Sequence, residues 1–245
     1  MQTNFPLLAF LLGLVLGSLY ILCARLYIQK ESLANGLHAC PGCRHRLMWW
    51  EHLSLADRLI HRGLCRSCGK PLPVRFACVE VAVGVWELLL AWKLGWGPAW
   101  LVYTLFGGWC IVLSLIDLER LILPDILVIP GSIAAFLCAV MVLKLPYMSS
   151  MLGGLVGVGS FLALQGACLL LFQQRLVGPG DVKLMLLLGF LLGLKSLPLL
   201  LGVAFLSCYL FYQAYLSQEA EVRLPFGPFL CFGLLTCILL SSGWS

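Results

Sequence analysis

The sequence predicts an all-α polytopic membrane protein of about eight transmembrane helices, with a small cytoplasmic zinc-knuckle insertion after the first helix. Three observations carry that fold class. Of 245 residues, 61% are hydrophobic and only 11% are charged, against about 25% charged in soluble domains. Apolar runs of bilayer length recur from one end of the chain to the other. Nearly all the Lys and Arg residues fall on alternate connections between those runs, as the positive-inside rule requires. A water-soluble enzyme is excluded. The net charge of +5 invites a nucleic-acid reading, but topology accounts for it, so no nucleic-acid partner is expected.

The apolar runs lie at 6–28, 76–94, 98–117, 124–143, 151–172, 183–195, 197–216 and 226–243, judged against the ~20 residues needed to cross a bilayer. The sixth is short for a full crossing and reads as a half-length or tilted helix packed against protein. Six or seven spans also fit the pattern. The first run has no basic residue before it, and its positives follow it. It therefore reads as a retained anchor with its N-terminus outside, not as a cleaved signal.

With eight spans, one side of the membrane receives Arg25, Lys30, Arg44, Arg46, Arg58, Arg62, Arg66, Lys70, Arg75, Arg120, Arg175, Lys183 and Arg223. The other receives Lys93, Lys144 and Lys195. The first side is thus expected to be cytoplasmic, with both chain ends outside. Three segments follow: 1–28, a first transmembrane helix; 29–75, a cytoplasmic zinc-binding segment; and 76–245, a transmembrane catalytic bundle.

Residues 29–75 are too few to bury a large core, and pieces of that size usually need a staple. The sequence supplies "CPGC" at Cys40 and Cys43 and "CRSC" at Cys65 and Cys68, with 21 residues between the pairs. Paired knuckles of this kind read as a structural zinc site, in which four thiolates close a tetrahedron. Disulfides are the alternative, and a reducing cytoplasm argues against them. His38, His45, His52 and His61 share the segment. They are alternative ligands in principle and read as surface or packing residues, because four cysteines complete the shell. The other eight cysteines sit in or beside apolar spans and read as small hydrophobes.

Ionisable groups in a membrane are costly and mark functional sites. Asp117 closes the third span and Asp181 opens the sixth, so topology places both at one depth on the cytoplasmic face. They are 64 residues apart in sequence yet can meet across two helices. Two close carboxylates do not both ionise readily; one keeps a proton while the other is charged. Such a pair can activate water and protonate a leaving amine. Each Asp also reads as a helix-end residue, and Asp125, directly after Pro124, suits the N-terminus of the fourth span. The "GPG" before Asp181 lets backbone or substrate approach the carboxylate, or forms a plain loop before a helix. Lys183 reads either as a charge near the carboxylates or as one facing lipid headgroups.

The residues in this order resemble the type IV prepilin leader peptidases, the GxGD class of membrane aspartic proteases. "CPGCRHRLMWWEHL" and "GLCRSCGKPLPVRFACVEV" resemble that family's cytoplasmic zinc-ribbon segment and the entry to its next helix. "IDLERLILPD" resembles its first aspartate segment, and "GPGDVK" its GxGD segment with the Lys. "LPFGPFL" at Leu224–Leu230 resembles the entry to its last helix. The resemblance implies catalytic roles for Asp117 and Asp181 and zinc ligation by the four cysteines. It implies a bacterial inner-membrane enzyme with its active site and zinc segment facing the cytoplasm. The implied substrates are type IV prepilins or type II secretion pseudopilins, cut after the Gly that ends a basic leader. It also implies N-methylation of the new N-terminus with S-adenosylmethionine, for which the sequence shows no Gly-rich nucleotide fingerprint.

The chain departs from the family pattern in three places. Gly17-Ser18-Leu19-Tyr20-Ile21 lacks the usual Asn, "RFACVE" keeps only Arg75 and Glu80 of its motif, and "WWEHLSL" lacks an Asn-Ile-Pro. A proton-coupled transporter using the paired aspartates is the rival from another class; no internal repeat favours it.

Overall fold

The computed structural model describes residues 5–29, 74–120, 123–172, 179–211, 213 and 226–240. Every regular element among them is helical: α1 (Phe5–Gln29), α2 (Val74–Leu94), α3 (Pro98–Arg120), α4 (Asp125–Met141), α5 (Tyr147–Phe172), α6 (Pro179–Leu192), a 3₁₀ turn (Leu194–Ser196), α7 (Leu197–Phe211) and α8 (Gly227–Leu240). Each α-helix falls on one of the eight apolar runs. Four segments are long and apolar enough to cross a bilayer: Phe5–Ile28, Pro98–Arg120, Tyr147–Gly166 and Leu194–Phe211. Large apolar side chains such as Leu170, Ile126 and Met141 stand exposed on the outside. Water would penalise them and hydrocarbon would not. The chain is a membrane protein.

The helices form two compact units, Met1–Trp100 and Leu101–Ser245. In the first, α1 lies along α2. Gly13 and Gly17 give α1 the small-xxx-small spacing that lets helix backbones approach in a membrane. A Cβ on Gly13 would come within 2.8 Å of the Gly84 Cα, and one on Gly17 within 2.8 Å of the Glu80 Cα. Ser18 Oγ donates to Glu80 Oε1 at 2.8 Å, giving that fully buried carboxylate a partner within the helix pair. Gly95 ends α2 at φ +66, where a residue with a Cβ would be strained. Phe5, Trp96 and Trp100 cluster at this end, with the two indoles stacked 5.2 Å apart.

In the second unit α6 is the inner helix. Leu184, Met185, Leu187, Leu188 and Leu191 have no exposed surface, and Asp181, Val182 and Leu192 are also buried. A helix apolar and buried nearly all round belongs to an interior. Its 14 residues span about 21 Å at 1.5 Å per residue, short of a ~30 Å hydrocarbon core. It is enclosed by protein rather than lipid, which removes the need for full length. It packs on α5 through glycines: a Cβ on Gly189 would meet the Gly153 carbonyl carbon at 2.7 Å and the Gly154 Cα at 2.8 Å. Ser150 Oγ donates to the Phe190 carbonyl at 2.6 Å across the same crossing. Gly193, at φ +73, turns the chain into the 3₁₀ segment and α7.

Helix α6 begins at Pro179, earlier than the run starting at residue 183. Proline fits the first helical turn, where its missing N–H has no partner to lose. Pro179 and Gly180 are therefore helical, and Asp181 lies inside the first turn.

Candidate active site

Asp117 lies in the last turn of α3 and is 7% exposed. That end of a helix carries the negative pole of its dipole, which disfavours an acid. Capping therefore does not explain Asp117. The first turn of α8 does more: Gly227 N–H points at Asp117 Oδ2, with N···O 3.4 Å, so a helix N-terminus faces the carboxylate. Gly227 can sit there because it has no side chain. A Cβ would stand 3.2 Å from Asp117 Oδ2 and 3.3 Å from Ser114 Oγ.

One turn back along α3, the buried Ser114 Oγ lies 3.0 Å from Cys231 Sγ on α8. Cys110, a further turn back, is fully buried. Two turns of α3 thus meet two turns of α8 through polar side chains, directly beneath Asp117.

Asp181 is also 7% exposed. As an acid in the first turn of α6 it is favoured by that helix's dipole. Its neighbours on both sides hold the entry to α4. A Cβ on Gly180 would come within 2.8 Å of the Leu123 Cβ and Cδ1. Lys183 Nζ pairs with Asp125 Oδ1.

Both aspartates thus lie at helix ends of the second unit. The end of α3 meets the start of α8, and the start of α4 meets the start of α6. Asp117 precedes Leu123 by six residues, and Leu123 lies against the residue next to Asp181. Two carboxyl groups, both withdrawn from water, can divide the roles of proton donor and proton acceptor. Asp125 is the exposed first residue of α4 and the acid of its first turn, with no side-chain cap bond at Pro124, and it pairs with Lys183. Lys183 thus forms an ion pair between α4 and α6, in the same helical turn as Asp181.

Gly227, Ser114 and Cys231 were not singled out by the sequence. Ser114 stands one helical turn from Asp117 and Gly227 lies in "LPFGPFL", but only the pairing of α3 with α8 brings them together. Cys40, Cys43, Cys65 and Cys68, with the four histidines, lie outside the described residues. Among the described residues no group of three or more His, Cys, Asp or Glu side chains stands ready for a metal.

Residues 11–94 match the Bacterial Peptidase A24 N-terminal domain and residues 104–213 the Type IV leader peptidase family. The boundary between the two compact units falls between these ranges. Relatives include a prepilin leader peptidase/N-methyltransferase of Myxococcus xanthus (strain DK1622), 31% identical over 194 residues, 79% of this chain and 58% of that protein. One of the same name from Pseudomonas putida is 30% identical over 207 residues, 82% of this chain and 71% of the relative. Another, from Neisseria gonorrhoeae, is 31% identical over 206 residues, 84% and 68%. No solved structure matches the chain.

Proposed function

Since the chain belongs to the type IV leader peptidase family and is a peptidase, we propose that it removes the basic leader from type IV prepilins or type II secretion pseudopilins, with Asp117 and Asp181 as the catalytic pair. One observation supports the assignment of residues: both carboxylates are buried at helix ends of the second unit, Asp117 facing the start of α8 and Asp181 in the first turn of α6 beside the entry to α4. The transporter alternative has no support from the matched relatives.

In this reading the two aspartates share one proton. The ionised member takes a proton from a water molecule, and the resulting hydroxide attacks the carbonyl of the leader's last Gly. The protonated member donates to the carbonyl oxygen, and a proton then passes to the leaving amine as the peptide bond breaks. Burial serves the reaction by keeping competing water away and by strengthening the field between the charges. All eight helices are read as membrane-embedded, with the aspartates at the cytoplasmic face of the inner membrane, because the basic residues cluster on that side.

Cys40, Cys43, Cys65 and Cys68 are proposed to hold one structural zinc in the cytoplasmic segment. The chemistry of the donor set fits that ion: four thiolates satisfy its charge and tetrahedral geometry and leave no open position for catalysis. The metal stabilises the segment when bound and takes no part in cleavage. The relatives' names also carry N-methyltransferase, and the proposal extends to S-adenosylmethionine-dependent methylation of the new N-terminus.

Cleavage of a purified type IV prepilin in detergent tests the catalytic pair. Asp117→Asn and Asp181→Asn are each expected to abolish product, and the double substitution to add almost nothing, because the pair acts as a unit. Substantial product from either single variant would sink the mechanism. Mass spectrometry of the same product, with S-adenosylmethionine supplied, reads methylation; an unmethylated N-terminus across several substrates makes the chain a peptidase only.

A further inference from the structure

We propose that Leu123, Asp125 and Lys183 form a clamp that fixes Asp181 from both sides, which makes them positioning residues for cleavage. The inference rests on the catalytic reading of Asp181 above and deepens it.

The residue before Asp181 and the residue two after it are both held by the same three-residue stretch. Leu123 is 5% exposed, and its side chain fills the space where Gly180 lacks one, within 2.8 Å of the would-be Cβ. Asp125 holds the Lys183 ammonium. The stretch between these contacts is stiff. Pro124 sits at φ −73 and ψ 124 at the head of α4, with φ locked by its ring. Its carbonyl accepts from Leu127 N and Val128 N at 3.0 and 3.1 Å. The clamp's fixed arm is therefore the first turn of α4, and α6 is gripped at two points one helical turn apart.

The ion pair is poorly suited to a purely structural duty. Its side chains are 43% and 57% exposed, and pairs so exposed contribute little to stability. What such a pair can do is fix the rotation of the first turn of α6. That rotation decides where the Asp181 carboxylate points, because Lys183 and Asp181 share one turn. The same stretch follows Asp117 by six residues in the chain.

The test is a double-mutant cycle with Asp125→Asn and Lys183→Gln, using prepilin cleavage in detergent with kcat and KM resolved. Each single substitution is expected to lower kcat about two- to fivefold, the most that losing an exposed pair worth up to about 1 kcal/mol can bias the position of Asp181. KM should stay within about twofold and the thermal midpoint nearly unmoved. The double variant should lose no more than either single one. Asp125→Glu, which keeps the charge, should retain most of kcat. Wild-type kcat in both single variants, or losses that multiply in the double variant, overturn the clamp. Asp181→Asn runs beside them: if it is inactive while the clamp variants are fully active, the catalytic reading stands and the clamp falls. If Asp181→Asn cleaves, the catalytic reading itself falls. Should Asp125→Asn not fold, the exchange of Asp125→Lys with Lys183→Asp decides. Recovered activity supports the clamp, and a folded but inactive exchange overturns it.

Discussion

Asp117 sits against the unfavourable pole of its own helix and opposite the favourable pole of another. The contact that reconciles these is a backbone N–H on Gly227, 3.4 Å from Oδ2. Because a Cβ there would stand 3.2 Å from that oxygen and 3.3 Å from Ser114 Oγ, Gly227→Ala forces the carboxylate or the hydroxyl to give way. A fall in kcat of about tenfold with little change in KM is expected, since a displaced catalytic group loses rate more than binding. Kinetics on a prepilin substrate, beside thermal unfolding to confirm the fold, reads it. An alanine variant with full kcat would remove Gly227 from any role at Asp117. The two aspartates were legible in the sequence because a carboxylate in an apolar run is conspicuous. Gly227, Ser114 and Cys231 were not, because nothing in a single sequence says which face of α3 meets which face of α8. Lys183 shows the same limit: its charge was visible, its partner on another helix was not.

At the scale of elements, the α5–α6 crossing is set by the absence of side chains. A Cβ on Gly189 would meet backbone atoms of Gly153 and Gly154 at 2.7–2.8 Å, and backbone cannot swing aside as a side-chain end can. Gly189→Ala is expected to destabilise the protein by about 1–3 kcal/mol, the usual cost of overpacking, and Gly189→Leu to prevent accumulation of folded protein. Gly159 and Gly202 lie on helices with nothing within 4 Å of a would-be Cβ. Alanine there should be neutral or stabilising by up to about 1 kcal/mol. Thermal unfolding in detergent separates the two classes, and a Gly189→Ala protein as stable as the parent would refute the close crossing. The existence of the eight helices was legible from apolar runs alone. The start of α6 was not, because Gly-Pro-Gly suggests a break. The structure starts α6 at Pro179 and uses the Gly180 position for clearance beneath Leu123.

At the scale of the whole molecule, residues 29–75 carry the proposed zinc site apart from the membrane helices. Metal analysis of purified protein is expected to find about one zinc per chain, as one four-thiolate shell holds one ion. Cys43→Ser and Cys65→Ser should each lower that content and expose 29–75 to protease. Unchanged zinc and protease resistance in both variants would exclude the site. The enclosure of α6 leads elsewhere. Outer helices that are longer or shorter than the surrounding hydrocarbon must tilt or deform the bilayer. A helix that touches almost no lipid is spared that adjustment. In the proposed reading Asp181 lies on α6, so the reacting end is expected to be insulated from membrane thickness. Reconstituted in vesicles of short- and long-chain lipids, the enzyme should keep kcat within about twofold while KM drifts, since the substrate's own apolar helix still feels the mismatch. A kcat that tracks chain length would mean that the outer helices transmit bilayer strain inward to the aspartates. Insulation of this kind would let one enzyme keep the same turnover as the lipid composition of its membrane changes with growth temperature.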